Sequence, residues 1–146
     1  MISFKGKPSA DHLVEHLESF IQDTLARCTQ CGECFKACPM TEYGPGLKEA
    51  RPQEAVAGIL DWLKGVPNHA TSLDWLKVCT QSSVCIKACP ENINVMKMMR
   101  TAQISALGSL GAQPALKSRD EKDFFRKINA FSATQLTTEE IEKWQR

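Results

Sequence analysis

The sequence predicts an all-α protein whose helices hold two short cysteine-bearing loops. Three observations carry this. Apolar residues recur at helical spacing through most of the chain, and no run alternates convincingly as a strand would. Proline, glycine and capping residues separate the periodic segments. The cysteines are confined to two stretches that follow predicted helices.

The elements follow in order. Ser9 is a candidate N-cap for a helix over about residues 9–27, with Leu13, Leu17, Phe20, Ile21 and Leu25 on one apolar face. His12 and His16 lie four apart on it and read as a solvated or packed pair rather than as metal ligands. This helix runs straight into Cys28. Residues 40–51 read as loop, with Tyr43-Gly44-Pro45-Gly46 as a turn signal. Arg51-Pro52 opens a second helix, since proline is tolerated in the first turn. Val56, Ile59, Leu60 and Leu63 give it a core stripe, and Gly65 and Pro67 end it.

Thr71-Ser72-Leu73-Asp74 starts a further helix whose Leu73, Trp75 and Leu76 pack just ahead of Cys79. A long helix is expected over about 93–108, with Val95, Met96, Met99 and Leu107 inward and its methionines as gap-filling core. Gly108, Gly111 and Pro114 then mark a break. The organisation expected is a helical unit over residues 1–110 and a helical extension over residues 111–146. Ser118-Arg119-Asp120-Glu121 and Thr137-Thr138-Glu139-Glu140 both have capping-box form, which predicts short helices over about 119–130 and 138–145. Phe124, Phe125, Ile128 and Phe131 group on the first, either packing back on the body or docking on a partner.

Composition excludes several classes. A net charge of +1 supplies no basic field for nucleic acid. No run of about 18 apolar residues exists to span a bilayer. Thiols expected to be reduced, with no secretory signal segment, point to the cytoplasm, although a membrane anchor made by another chain could still bind a soluble protein of this kind.

The cysteines carry the chemistry. The first stretch reads Cys28, Cys31, Cys34, Cys38-Pro39, and the second Cys79, Cys85, Cys89-Pro90. The offsets 79−28, 85−34 and 89−38 all equal 51, so the partner of Cys31 falls at position 82, which is Ser82. All seven cysteines belong to this pattern. Closely spaced thiolates on a tightly wrapped loop suit several irons at once, and this is the layout of two iron–sulfur clusters, one lacking a corner. Each proline fixes φ and keeps the preceding Cys out of helix, turning the chain away. An odd cysteine count fits a disulfide framework poorly. Structural zinc asks for two cysteine pairs, not a third cysteine in register with a Cys-Pro. No cysteine stands apart as a reactive thiol.

The C-x2-C-x2-C-x3-C-P run resembles that of two-cluster ferredoxins, where the last cysteine serves the other cluster. Two such motifs separated by about 40 helical residues resemble the alpha-helical ferredoxin domain, over about residues 10–110. The small stand-alone form resembles the C-type iron–sulfur subunit of heterodisulfide reductase and of the bacterial sulfur-oxidising heterodisulfide reductase-like complexes. The resemblance implies a 4Fe–4S cluster on Cys28, Cys31, Cys34 and Cys89, and a second cluster on Cys38, Cys79 and Cys85. With Ser82 at the vacant corner, the second is most simply a 3Fe–4S cluster. A serine oxygen, water, hydroxide or a partner's side chain could instead complete an oxygen-ligated 4Fe–4S cluster, and an empty or different site is the third option.

The resemblance further implies a subunit with no catalytic residue of its own. It would relay electrons between a flavin-bearing A-like subunit and a cysteine-rich B-like subunit that acts on disulfides or thiols. Ser82 departs from the usual C-type pattern of four cysteines in both motifs. It matches the second half of the succinate dehydrogenase and fumarate reductase iron–sulfur subunit, whose C-x5-C-x3-C-P holds a 3Fe–4S cluster that reduces quinone. A quinone-linked flavin dehydrogenase of succinate/fumarate or glycerol-3-phosphate type is therefore the second expectation. Residues 1–27 contain no cysteine for the plant-type ferredoxin domain of the full succinate dehydrogenase subunit, so that whole subunit is not expected. A zinc-stabilised interaction module is the third.

Overall fold

A computed structural model describes residues 10–67, 70–108, 110–111, 113–114, 122 and 124–144. Its elements are α1 (Ala10–Arg27), α2 (Glu33–Lys36), a 3-10 turn (Thr41–Tyr43), α3 (Pro52–Leu63), α4 (Ala70–Val78), α5 (Val84–Ala88), α6 (Val95–Ala106), α7 (Phe124–Ala133) and α8 (Thr138–Trp144). Among the described residues there is no strand, only an isolated bridge between Leu107 and Gln113. The fold is all-α, as the periodicity predicts. No described helix is long and apolar enough to cross a membrane.

α3 is the centre of the core. It packs on α4 and α6 and buries Val56, Ile59, Leu60, Trp62 and Leu63, the predicted stripe plus one tryptophan. The Trp62 indole donates to Ser72 Oγ at 3.1 Å, which ties α3 to α4. Gln103 Nε2 donates to the Leu76 carbonyl at 2.8 Å and ties α6 to α4. Burying polar groups in such pairs avoids the penalty of leaving them unsatisfied.

The expected long helix is shorter than its 93–108 reading. Asn94 caps it, its side-chain oxygen accepting from the Lys97 N–H at 3.0 Å, and Leu107 is already extended. Val95 and Met99 are buried as expected, together with Met98, Ala102 and Ala106. These positions form the i, i+3, i+4, i+7, i+11 stripe of one helix face. Met96 falls outside that stripe and Leu107 beyond the helix, so both are only half-buried.

Ser9 and the Ser118–Glu121 capping box lie outside the described residues. α7 is described over Phe124–Ala133, the expected start near 119 lying outside the described residues, and its apolar group divides. Phe124, Ile128 and Phe131 are half-buried, whereas Phe125 is 78% exposed. The Thr137 capping box forms: Thr137 N–H donates to Glu140 Oε2 at 2.8 Å, and Thr137 Oγ1 accepts from the Glu140 N–H at 3.4 Å.

The 51-residue offset of the cysteines extends to the backbone. α1 and α4 end at Arg27 and Val78, and α2 and α5 start at Glu33 and Val84, each pair 51 apart. Gln30 and Gln81 take φ of 56° and 59°, and Gly32 and Ser83 take 82° and 63°. Thr29-Gln30 recurs as Thr80-Gln81, and Lys36-Ala37-Cys38-Pro39 as Lys87-Ala88-Cys89-Pro90. Left-handed residues are uncommon outside glycine, so three of them in register with each other and with Gly32 mark one loop built twice. α2 and α5 pack against each other and bring the two loops together.

Candidate iron–sulfur sites

Each loop starts where a helix delivers a cysteine. α1 ends one residue before Cys28, and α4 one residue before Cys79. The left-handed turn at Gln30 or Gln81 reverses the chain, and the following short helix carries Cys34 or Cys85. Gly32 is required in the first loop. Besides its positive φ, a Cβ there would lie 2.5 Å from Pro52 Cβ, at the start of α3. Gln53 Nε2 also donates to the Cys31 carbonyl at 3.3 Å, fastening the loop to the same helix end.

Cys28, Cys31, Cys34 and Cys89 line one cavity, with Val56, Ile93, Val95 and Met98 as its apolar wall. It holds about 330 Å³ of empty space, part of it open to solvent. Cys38, Cys79 and Cys85 line a second cavity of about 340 Å³ with Ser82, Met40, Trp75, Thr80, Met96 and Met99. Thus each cavity takes its last cysteine from the other motif. The structure brings all seven cysteines to two places and puts Ser82 at the second. His12 and His16 line neither cavity. Lys97 Nζ donates to His16 Nε2 at 2.7 Å, and His16 is an exposed residue of α1.

Electrostatic coupling runs both within each group of thiols and between the two groups. Burial pushes the Cys34 thiol up to about 12, with neighbouring Cys85 and Cys28 adding to it. Burial, then Cys79 and Cys38, pushes Cys85 up to about 11. Cys28 and Cys79 are also raised by burial, against opposing backbone hydrogen bonds at Gln30 and Gln81 respectively. Cys28 feels Cys89, and Cys79 feels Cys38, each across the motifs. Buried thiols of this kind are protonated at neutral pH until metal displaces the proton.

The residues fit iron–sulfur clusters. Soft thiolates surround a void rather than meeting at a point, and among the described residues no three Cys, His, Asp or Glu side chains converge as a single ion would require. Thr80 Oγ1 is buried at the second cavity without a hydrogen-bond partner, and cluster sulfur would supply one. When bound, such clusters supply one-electron chemistry. The protein's part is to hold the thiolates, exclude water with apolar walls and aim donors at sulfur. Trp75 is one such donor. Its indole N–H reaches Cys38 Sγ at 3.4 Å, a role beyond the packing that helical spacing suggested. The repeated Thr-Gln and Lys-Ala pairs are the sequence signal for the twin loops and their short helices.

Neither a curated protein nor a solved structure matches the chain. Residues 27–94 match the family model described as the 4Fe–4S dicluster domain, a span that includes all seven cysteines. The match supports an iron–sulfur ferredoxin-like domain in that segment and a role in electron transfer.

Proposed function

We propose that this protein is an electron-transfer subunit of a heterodisulfide reductase-like complex, relaying electrons between a flavin-bearing subunit and a cysteine-rich subunit that acts on disulfides or thiols. The observation that carries it is the exchange of Cys38 and Cys89 between the two cavities. Clusters held this way share one rigid frame, and electrons pass between them without large motion. The ligands are Cys28, Cys31, Cys34 and Cys89 for a 4Fe–4S cluster, and Cys38, Cys79 and Cys85 for a 3Fe–4S cluster with Ser82 at its vacant corner. The setting is cytoplasmic, with membrane association only through a partner. Phe124, Phe125, Ile128 and Trp144 line one surface groove on α7 and α8, and this extension docks on another subunit of the same complex.

Ser82 at the second cavity favours one other reading, a subunit of a quinone-linked flavin dehydrogenase. Anaerobic purification of the native complex through a tag on this chain separates the two. A cysteine-rich B-like subunit and a flavoprotein support the first reading. A membrane anchor with neither thiol nor disulfide activity overturns it in favour of the second.

A further inference from the structure

We propose that Trp75 is a positioning residue that raises the redox potential of the second cluster through its hydrogen bond to Cys38, and that the first cluster has no equivalent. The inference rests on the reading of the seven thiols as cluster ligands.

The indole N–H donates to Cys38 Sγ at 3.4 Å. The ring is 1% exposed and stands edge-on to Phe35, with centroids 4.9 Å apart. An indole has a single donor, and a buried one needs a partner. Here the partner is sulfur. Trp62 shows the alternative in the same core, giving its N–H to a serine hydroxyl.

The repeat provides an internal comparison. At the 51-residue offset the counterpart of Cys38 is Cys89, and that of Trp75 is Thr24, since 75−24 = 51. Thr24 is fully buried too, but its hydroxyl makes no hydrogen bond. Among the described residues no side chain donates to Cys89 Sγ. The two loops share their backbone conformation and the backbone hydrogen bonds at Gln30 and Gln81. Trp75, Ser82 and the buried Thr80 hydroxyl therefore set the second site apart.

The sign follows from charge. Reduction adds one electron and no atom, and part of the added negative charge falls on the cysteine sulfurs. A donor aimed at sulfur stabilises the more negative state more, so it raises the potential. Burial strengthens the effect, because the local dielectric is low.

Trp75→Phe keeps an aromatic ring beside Phe35 and removes the N–H. Trp62→Phe makes the same change where no sulfur is involved. Wild type and both variants would be taken through anaerobic, dye-mediated redox titration while each cluster's EPR signal is followed. Trp75→Phe should lower the second cluster's midpoint by about a tenfold change in its reduced-to-oxidised balance, ~59 mV for one electron. The first cluster's midpoint should stay put, and Trp62→Phe should move neither. An unmoved second midpoint in Trp75→Phe overturns the proposal, as does an equal shift in Trp62→Phe. Should Trp75→Phe fail to fold, wild-type protein labelled with 15N at the indole nitrogen gives the answer. A 15N hyperfine coupling on the second cluster's signal supports the bond, and its absence overturns it. A wild-type protein with no second cluster signal overturns the cluster reading itself; a normal signal with an unmoved potential overturns this inference alone.

Discussion

Cys89 stands in the cavity formed by Cys28, Cys31 and Cys34, while Cys38, 51 residues earlier, stands in the cavity of Cys79 and Cys85. The exchange makes each site depend on both loops. Arg27, at the end of α1, reinforces it by donating to the Glu91 carbonyl just past Cys89-Pro90, and a 2.8 Å ion pair with Asp23 steadies its guanidinium.

Substituting the exchanged cysteines should therefore produce crossed defects. Cys89→Ser should deplete the first cluster and spare the signal of the second. Cys38→Ser should do the reverse. Iron content and EPR of the two variants check this. Loss confined to the mutated residue's own motif would mean that each motif closes its own site.

Restoring the missing thiol should change the second cluster's type. Ser82→Cys should abolish the oxidised 3Fe–4S signal and raise iron from about seven to about eight per chain. An unaltered spectrum with unaltered iron would contradict the placement of Ser82 at the vacant corner.

The two wild-type clusters should titrate apart, with the Ser82-side cluster at the higher potential. Loss of an iron changes cluster charge, and cluster charge is one of the quantities that set potential. Redox titration that finds the 4Fe–4S cluster easier to reduce would contradict this order of potentials.

Gly32→Ala should destabilise the protein by about 1–3 kcal/mol, because a left-handed φ and a close neighbour coincide there. The neighbour is Pro52 Cβ, part of a ring that cannot swing aside. Chemical denaturation of the purified protein measures this, and an unchanged midpoint would show that the loop yields.

A pH effect is expected at α8. Backbone and side-chain hydrogen bonds from Thr137 hold Glu140 below its ordinary 4.5. A depressed folded-state pKa contributes stability above the unfolded value and loses it as pH falls through the folded value. The α8 N-terminus should therefore loosen below about pH 4.5. Thr137→Ala should bring the Glu140 titration, followed by NMR, back toward its ordinary value, and no upward movement would discount the capping box.

Much of this architecture was legible in the sequence because its signals are local. The Val56, Ile59, Leu60, Leu63 stripe gave α3, Arg51-Pro52 gave its start, and the 51-residue offset singled out Ser82. Less legible were features set by three-dimensional approach. α2 and α5 are only four and five residues long, too short for a helical period to register. The Trp75–Cys38 bond spans 37 residues and depends on how α4 packs beside the first loop. On α6, Met98 rather than Met96 falls on the buried stripe, while Met96 lines the second cavity, a split that helical spacing alone did not separate.

The central claim is that these thiols hold two unlike clusters. EPR spectroscopy of anaerobically purified protein, as isolated and after dithionite, with iron counted, tests it most directly. The account predicts a near-isotropic signal in the oxidised sample, a 4Fe–4S signal on reduction and about seven irons per chain. Silence in both states, with stoichiometric zinc and no iron, would contradict it and leave the cysteines as a structural metal site.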